Sequence, residues 1–212
     1  MSISDEAFKK AQEYEVKHAS IRYRWKDEWK RLYRKRLKDF FNIGFSFPGS
    51  VVVEIGCGAI GIISVVEAKK KVGIDPLINE HRKRYDMDKD IEYINAKGEK
   101  IPLPDDYADI VFCSNVLNHV QNPGKVLSEI ARVLRPSGRL YFDVHDNPRS
   151  TGHPHVFTKN GVYQLLKRYF KVDKMIERDK IPAIGYDIRR GEIIGPRPYV
   201  SKTKVWGAIC SL

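Results

Sequence analysis

The stretch that decides the fold reads Val51-Val-Val-Glu-Ile-Gly-Cys-Gly-Ala-Ile-Gly61. Its β-branched run predicts a buried strand that ends at Ile55, and glycines follow at positions 56, 58 and 61. We predict a helix over residues 60–68, whose first turn would present N–H groups without intrahelical partners. Because glycine lacks the Cβ atom that keeps a ligand off the backbone, this strand, turn and helix predict a ligand site at residues 56–58.

Strand and helix patterns alternate on the C-terminal side of this stretch. Such alternation predicts a parallel sheet covered by helices on both faces. We divide the chain into a basic helical N-terminal extension, residues 1–45, expected on the lid or acceptor side of the site, and an α/β domain, residues 46–212, with residues 45–49 as a linker. The predicted strands are 51–55, 71–75, 91–95, 109–113, 138–144, 170–179 and 199–210. The predicted helices are 5–18, 21–41, 60–68, 78–84, 122–134 and 158–168.

Two kinds of cofactor compete for the glycine loop. The glycines fit the G-x-G-x-x-G pattern, and Asp75 ends the next predicted strand at about the spacing of a dinucleotide fingerprint, which favours NAD. Glu54 argues against NAD, because its carboxylate at the strand tip would repel a pyrophosphate. The same carboxylate would attract a ligand that carries an ammonium and a sulfonium, directly or through water.

Residues 51–143 resemble a class I S-adenosylmethionine-dependent methyltransferase of the group that methylates small molecules. Four blocks carry the resemblance in the family's order. The resemblance implies a Rossmann-like, mostly parallel seven-stranded sheet with helices on both faces and a terminal antiparallel hairpin. It also implies S-adenosyl-L-methionine as the cofactor. The blocks are VVVEIGCGAIG (51–61), VGIDP (72–76), KGEKIPLPDDYADIVFCSNVLNHV (97–120) and EIARVLRPSGRLYFDV (129–144).

The resemblance also assigns roles in cofactor binding. Glu54 matches the acidic position that reaches the methionine amino end, and Asp75 matches the carboxylate that accepts from both ribose hydroxyls. Gly56 and Gly58 match the loop under the ribose, and Ser114 would lie against the methionine end. The implied contacts are Glu54, Ile55, Gly56, Cys57, Gly58, Asp75, Pro76, Leu77, Lys97, Gly98, Glu99, Ser114 and Asn115.

Two positions depart from the family pattern. Ile60 stands where the third glycine is usual, and Gly61 follows one residue later, which puts a contact by Gly61 in doubt. Lys97 stands where relatives often carry an aspartate that accepts from the adenine amino group. Because a lysine side chain cannot accept a hydrogen bond, we expect backbone groups at Gly98 and Glu99 to do this work.

Histidines near the predicted carboxyl ends of the strands are candidate general bases. An O–H acceptor benefits from such a base, whereas an acceptor that is already anionic needs none. His145 and His119 are the candidates, and each is alternatively a hydrogen-bonded loop residue. We expect no metal, because the pair His153-Pro-His155 lacks a clear third ligand. Cys113 is expected to be a buried, unreactive thiol.

Charge is concentrated outside the predicted cofactor core. The chain of 212 residues has a net charge of +11, made up of +5 over residues 1–45, −1 over 46–150 and +7 over 151–212. A basic rim would favour an anionic acceptor, and a solvated surface is the alternative explanation. The long Gly/Pro-punctuated segment 180–198 suggests a lid, in which basic and aromatic side chains would clamp an anion. These side chains are Tyr186, Arg189, Arg190 and Arg197.

The sequence therefore predicts an S-adenosylmethionine-dependent methyltransferase acting on a small-molecule or glycan-like acceptor, most simply at oxygen. An RNA methyltransferase that uses the basic flanks is one alternative, and Trp25 and Trp29 would then stack bases instead of packing their helix. A non-catalytic S-adenosylmethionine-binding protein is the other. Three widely spaced cysteines predict no disulfide framework. With neither a signal-peptide pattern nor a membrane-length apolar run, we expect a cytoplasmic protein.

Overall fold

The computed structural model describes residues 2–146, 149–150, 152–179, 186–187, 192–193 and 204–212. Two helices open the chain and lead through a π-helical turn into the first strand. The helices are α1 (Asp5–Arg24), α2 (Lys26–Lys35), α3 (Ile78–Arg84), α4 (Pro123–Val133) and α5 (Lys159–Leu166), with the π-helical turn at Arg36–Phe41 and a 3-10 turn at Ile62–Ser64. The strands are β1 (Ser46–Ile55), β2 (Glu67–Asp75), β3 (Glu92–Asn95), β4 (Ala108–Ser114), β5 (Leu134–His145), β6 (Lys171–Arg178), β7 (Tyr186–Asp187), β8 (Glu192–Ile193) and β9 (Val205–Ser211).

Seven strands form one sheet in the order β3-β2-β1-β4-β5-β9-β6. The first five run parallel, and β9 pairs antiparallel with both β5 and β6. The predicted seven-stranded, mostly parallel sheet with a terminal antiparallel pair is confirmed. The order reverses between β1 and β4, so the carboxyl ends of these strands border the crevice in which open α/β sheets bind ligands.

Helical segments cover both faces of this sheet, as predicted. On one face α4 and α5 bury Leu127, Ile130 and Leu166. On the other face the π-helical turn buries Leu37 and Phe41, together with Ile78 of α3. The turn lies close to β9, since a Cβ atom at Gly207 would collide with the Phe40 ring. The end of the N-terminal helical segment is therefore part of the sheet's packing.

The prediction of a helix over residues 60–68 is wrong. Only the 3-10 turn Ile62–Ser64 forms there, and β2 already begins at Glu67. The physical reason lies in the side chains, because the β-branched residues Ile60, Ile62, Ile63 and Val65 are all buried. β-Branched residues lose rotamer freedom in a helix, and a helix in so short a connection has few hydrogen bonds to offset that loss.

Several boundaries also differ from the prediction. The predicted linker 45–49 is largely strand, because β1 begins at Ser46 and contains an irregularity before Val51. The helix predicted over 21–41 is interrupted at Trp25, whose backbone leaves the helical region. No helix among the described residues is long and apolar enough to cross a membrane. Of the predicted lid, only the short β7–β8 pair is described; Arg189, Arg190 and Arg197 lie outside the described residues.

Candidate active site

A cleft of about 1290 Å³, counting the space at its open mouth, lies at the carboxyl ends of the central strands. One wall, which we call the floor, consists of residues 54–58, 75–77, 97–99 and 114–115. The opposite wall, which we call the roof, comes from α1, α2 and the π-helical turn. All of the cofactor contacts implied by the sequence lie in the floor, so the fold brings these four separate segments together. The roof residues are Phe8, Gln12, Glu15, Ala19, Arg22, Trp29, Tyr33 and Arg36.

Gly56 and Gly58 both have a left-handed backbone conformation, but their surroundings differ. Both have positive φ, at 72° for Gly56 and 56° for Gly58, which disfavours a side chain at either position. A Cβ atom on Gly56 would collide with the Val116 side chain, whereas one on Gly58 would meet nothing within 4 Å. Gly56 is therefore a packing requirement, and Gly58 leaves bare backbone beside the cleft.

Asp75 is held rigidly at the end of β2. Its two carboxylate oxygens accept hydrogen bonds from the Gly58 N–H at 3.0 Å and from the Leu77 N–H at 2.8 Å. Burial raises the pKa of Asp75 to about 6, and the two backbone hydrogen bonds oppose that shift. Each oxygen keeps further acceptor capacity, so this carboxylate fits a vicinal pair of hydroxyl donors.

Glu54 stabilises the turn that follows the glycine loop. Its two oxygens accept from the backbone N–H groups of Ile62 at 3.0 Å and Ile63 at 2.8 Å. A Cβ atom on Gly61 would collide with this carboxylate, which explains why glycine stands one position later than the family pattern. Burial raises the pKa of Glu54 to about 8. The backbone groups expected at a helix N-terminus are thus bonded to Glu54 in a 3-10 turn.

The segment 97–99 uses its side chains to hold neighbouring elements. Lys97 Nζ donates to Gln121 Oε1 at 2.8 Å and lies 4.4 Å above the centre of the Phe8 ring. Glu99 Oε1 accepts from the N–H groups of Gln121 at 2.7 Å and Asn122 at 3.0 Å, next to the start of α4. The Lys97 side chain and one oxygen of Glu99 are thus bonded within the protein, and the backbone groups of this segment remain for a ligand.

An ion-pair network closes the floor at the end of β4. Arg36 Nη1 donates to Ser114 Oγ at 2.5 Å, and Ser114 Oγ donates to Asp143 Oδ2 at 2.7 Å. Arg36 Nη1 also lies 3.5 Å from Asp143 Oδ1, and Asp143 is fully buried. Burial raises the pKa of Asp143, and Arg36 opposes the shift. Beside this network, Asn115 Oδ1 is buried without a hydrogen-bond partner among the described residues, so it can accept from a ligand.

The individual lining residues of the roof are the part of the site that the sequence did not predict. The roof positions 8, 12, 15, 19 and 22 on α1, and 29, 33 and 36 beyond, recur every three or four residues. That spacing places each set on one helical face, and it is the signal that could have identified these residues individually. The face mixes apolar and polar residues and so does not read as a core stripe. Arg22 donates to Glu15 at 2.9 Å, and the Tyr33 hydroxyl donates to the Ile60 carbonyl at 3.2 Å.

Contacts at both ends attach the roof to the α/β domain. The Tyr23 hydroxyl donates to the Asp86 carbonyl at 2.7 Å, and its ring stacks on Tyr85. Lys30 forms an ion pair with Asp88 at 2.8 Å. At the other end, the N–H of residue 3 donates to the carbonyl of residue 121 at 3.0 Å. The roof therefore crosses the cleft as a strap with an anchor on either side.

The two candidate bases lie in the cleft in different environments. His145 Nε2 is buried without a hydrogen-bond partner among the described residues, and burial together with nearby Arg36 lowers the pKa of His145 to about 3. His119 Nδ1 lies 3.4 Å from Glu15 Oε1. The His155 ring bonds the Val120 carbonyl at 2.8 Å and does not line the cleft. Among the described residues, no group of three histidine, cysteine or acidic side chains could hold a metal ion.

A methyltransferase domain family matches residues 53–142, which contain most of the floor. This region is a class I S-adenosylmethionine-dependent methyltransferase domain. Its cofactor is S-adenosylmethionine, and the residues present fit that molecule: bare backbone at Gly58, a fixed carboxylate at Asp75 and an unpaired acceptor at Asn115. The resemblance seen in the sequence is confirmed.

Similar proteins agree with this assignment of the methyltransferase domain. The ubiquinone biosynthesis O-methyltransferase of Hahella chejuensis is 31% identical over 149 residues, which cover 63% of this chain and 62% of that relative. The ubiquinone/menaquinone biosynthesis C-methyltransferase UbiE of Vibrio vulnificus is 44% identical over 50 residues, which cover 24% of this chain and 19% of that protein. This chain thus spans less than two thirds of the Hahella relative's length.

Solved structures show the same fold as the methyltransferase domain. A chain from the complex of the Haloferax volcanii Trm112 methyltransferase activator with a methyltransferase superposes with a TM-score of 0.64 at 17% identity, covering 100% of both chains. An S-adenosylmethionine-dependent methyltransferase from Mesorhizobium loti gives a TM-score of 0.58 at 18% identity, covering 78% of this chain and 92% of the other.

Proposed function

We propose that this chain transfers the methyl group of S-adenosylmethionine to an oxygen atom of a small-molecule acceptor. One observation carries the proposal: the floor of the methyltransferase domain and a histidine, His119, line the same cleft. The name of the Hahella relative supports an oxygen acceptor, and the name of the Vibrio relative makes carbon the atom to test against it.

The floor orients the cofactor through its charged and polar ends. Asp75 accepts from the ribose hydroxyls, and Asn115 Oδ1 accepts from the methionine ammonium. Arg36 lies beside Ser114 with donors to spare, since a guanidinium offers five, and it binds the methionine carboxylate. The cofactor supplies an electrophilic methyl group on a sulfonium, and the protein's contribution is to place the acceptor atom in line with it.

The charges of the described lining favour a neutral acceptor over an anionic one. Its three cations, Arg22, Arg36 and Lys97, already bond to Glu15, Ser114 and Gln121 respectively. Four carboxylates also line the cleft. A hydroxyl compound without a strong negative charge therefore suits this site better than a phosphate. The anionic acceptor expected from the sequence depends on arginines outside the described residues. The lining carboxylates are Glu15, Glu54, Asp75 and Glu99.

Helices α1 and α2 of the N-terminal extension serve as a movable cover of this site, whereas the π-helical turn that follows them stays packed on the sheet. The two helices lie across the cleft and are attached to the α/β domain by surface hydrogen bonds and ion pairs. Exposed contacts of this kind each contribute little, so the cost of moving these helices lies mainly in exposing the buried side chains of Phe8 and Ala19. Opening would admit cofactor and acceptor, and closing would exclude water from the reacting atoms.

Calorimetry of cofactor binding tests the first half of the proposal. We expect S-adenosylmethionine to bind in the micromolar range, NADH not to bind, and the D75A variant to lose binding. Failure of the wild-type protein to bind S-adenosylmethionine would refute the proposed function. Binding of NADH in its place would restore the dinucleotide interpretation of the glycine loop.

Transfer of a radiolabelled methyl group tests the second half. The probes are catechol, 3,4-dihydroxybenzoate and total RNA. The methylated atom is identified in the isolated small-molecule products and, for RNA, after digestion to nucleosides. We expect label on a catechol oxygen. Label on RNA, with binding that weakens steeply as salt increases, would favour the RNA methyltransferase alternative. Cofactor binding without label on any probe or in a small-molecule cell extract would favour the non-catalytic binding protein.

A further inference from the structure

We propose that Glu15, on the roof helix α1, is a positioning residue that turns His119 into the general base for the acceptor hydroxyl. This inference rests on the proposed function. It assigns the N-terminal extension a part in the chemistry beyond covering the cleft. It also predicts the acceptor class: an O–H group that must lose its proton during transfer.

The geometry brings the two side chains together from distant parts of the chain. Glu15 belongs to α1, and His119 follows β4, yet His119 Nδ1 lies 3.4 Å from Glu15 Oε1, which is an ion-pair distance without the geometry of a hydrogen bond. Both side chains line the cleft, with exposed fractions of 17% for Glu15 and 11% for His119. A carboxylate beside one ring nitrogen of a histidine favours a proton on that nitrogen, so the other ring nitrogen becomes the acceptor.

The second cleft histidine lacks such a partner. His145 has its Nε2 buried with no hydrogen-bond partner among the described residues, and it lies close to the positive charge of Arg36. A cation next to an imidazole disfavours its protonated form, whereas a carboxylate favours it. Between the two histidines, His119 is therefore the better site for a proton taken from the acceptor.

The proposed step balances in protons and electrons. The acceptor O–H proton passes to His119 Nε2 while a lone pair of the acceptor oxygen forms the new O–CH3 bond. The C–S bond breaks with its electron pair on sulfur, so the sulfonium becomes a neutral thioether. The positive charge ends on the His119 imidazolium beside the Glu15 carboxylate, and solvent later removes the proton.

Charged and titratable groups surround this pair on several elements. On α1, Arg22 donates to Glu15 and Tyr14 lies next along the helix. The His153 ring, in the segment after β5, has its centre 4.8 Å from that of His119. His145, at the end of β5, is near enough to feel the charge of His119. A change in the titration of His119 after substitution of Glu15 therefore has to be compared with the effect of removing another negative charge from α1.

The NMR titration of the His119 imidazole tests the pair without any turnover. Its resonance is assigned by its loss in H119N, and the probes are the wild-type protein, E15Q and E13Q, all without ligand. Glu13 is exposed on the same helix, so E13Q makes the same charge change away from the cleft. We expect E15Q to lower the pKa of His119 by about 1, as loss of a neighbouring opposite charge does, and E13Q to leave it in place. An unchanged pKa in E15Q overturns the inference.

Kinetics with two catechols test the base itself. With catechol, we expect H119N to lower kcat by about 100-fold and to remove the rising limb of the pH profile. E15Q should move that limb to lower pH and reduce kcat, while KM for S-adenosylmethionine changes by less than about twofold. With 4-nitrocatechol, whose hydroxyl ionises more readily, both variants should recover most of the wild-type rate. Equal losses with both catechols would overturn the role of His119 as a base, whereas failure of wild-type transfer would refute the proposed function instead.

Discussion

The floor and the roof of the cleft are built on different principles. The floor consists of four short segments that follow parallel strands, and each is fixed by backbone hydrogen bonds or by close packing at a glycine. The roof consists of two helices, held across the cleft by hydrogen bonds and an ion pair at its two ends, and of the π-helical turn, which packs on the sheet. This difference suggests that the floor sets the specificity for the cofactor and the roof sets the specificity for the acceptor.

The two walls also differ in charge balance. The floor contains the carboxylates Glu54 and Asp75, whose pKa values burial raises to about 8 and about 6. The roof contains the Glu15–Arg22 ion pair and Arg36, which reaches across to Asp143. Buried carboxylates with raised pKa values are poised to accept a cationic ligand, which suits a sulfonium cofactor on the floor side.

Replacing Asp75 is the strongest test of the floor. In D75N, one carboxylate oxygen becomes an amide donor, so the side chain can no longer accept from both ribose hydroxyls. We expect S-adenosylmethionine to bind about 100-fold more weakly by calorimetry, in line with the loss of two hydrogen bonds to a charged group. D90N changes an exposed carboxylate and should bind like the wild type. Loss of less than about threefold in D75N would remove Asp75 from the floor's ligands.

A pair of glycine substitutions separates ligand contact from backbone strain. Gly58 and Gly49 both have positive φ, 56° and 79°, and a Cβ atom on either meets no protein atom within 4 Å. We expect both G58A and G49A to lower the free energy of unfolding by about 1 kcal/mol. Only G58A should weaken S-adenosylmethionine binding, by about tenfold, because its Cβ atom enters the cleft. Equal affinities in the two variants would show that the cofactor does not approach Gly58.

The floor could be predicted from sequence because its segments follow strands, carry unusual residue types and match the blocks of the methyltransferase family. Glycines at 56 and 58, an acid at 75 and polar residues at 114 and 115 each mark a strand end, and parallel pairing then brings the ends together. The basic N-terminal extension was expected on the acceptor side, but the individual residues of the roof could not be predicted in this way. These lining residues follow an ordinary amphipathic helix pattern. The local sequence does not indicate which part of the sheet the face formed by these residues will cover.

Two charged side chains of the floor, Glu54 and Lys97, form contacts within the protein that the sequence did not predict. The helix expected after the glycine loop requires its first N–H groups to be unpaired, and Glu54 takes two of them in a 3-10 turn. Lys97 stands where relatives often carry an aspartate that binds adenine, and its side chain bonds to Gln121 and lies over the Phe8 ring. In both places a charged side chain is used within the protein, and such long-range partners are not visible in the local sequence.

The raised pKa values predict a pH dependence of cofactor affinity. Asp75 and Glu54 are partly protonated below about pH 6 and about pH 8, and a cationic ligand favours their ionised forms. The affinity for S-adenosylmethionine should therefore rise, by a few-fold to about tenfold, between pH 5.5 and 8.

Calorimetry in buffers of different ionisation enthalpy should detect proton release on binding. The stability of the ligand-free protein should change with pH in the opposite direction to the affinity. Because the folded state holds these protons more tightly than the unfolded chain, its free energy of unfolding should fall as pH rises through the same range. An affinity independent of pH, with no proton release, would show that neither carboxylate meets the cofactor's charge.

The smallest expected effect belongs to Lys97, the floor residue whose side chain serves the roof. K97M keeps the length of the side chain and removes its contacts with Gln121 and the Phe8 ring. Exposed contacts of this kind are each worth less than about 1 kcal/mol. We therefore expect affinity for S-adenosylmethionine to change by less than about threefold, while hydrogen exchange over residues 5–24 becomes faster. K100M, an adjacent exposed change, should alter neither quantity. A tenfold loss of affinity without faster exchange would place the Lys97 side chain on the cofactor and make it part of the floor in function as well as in position.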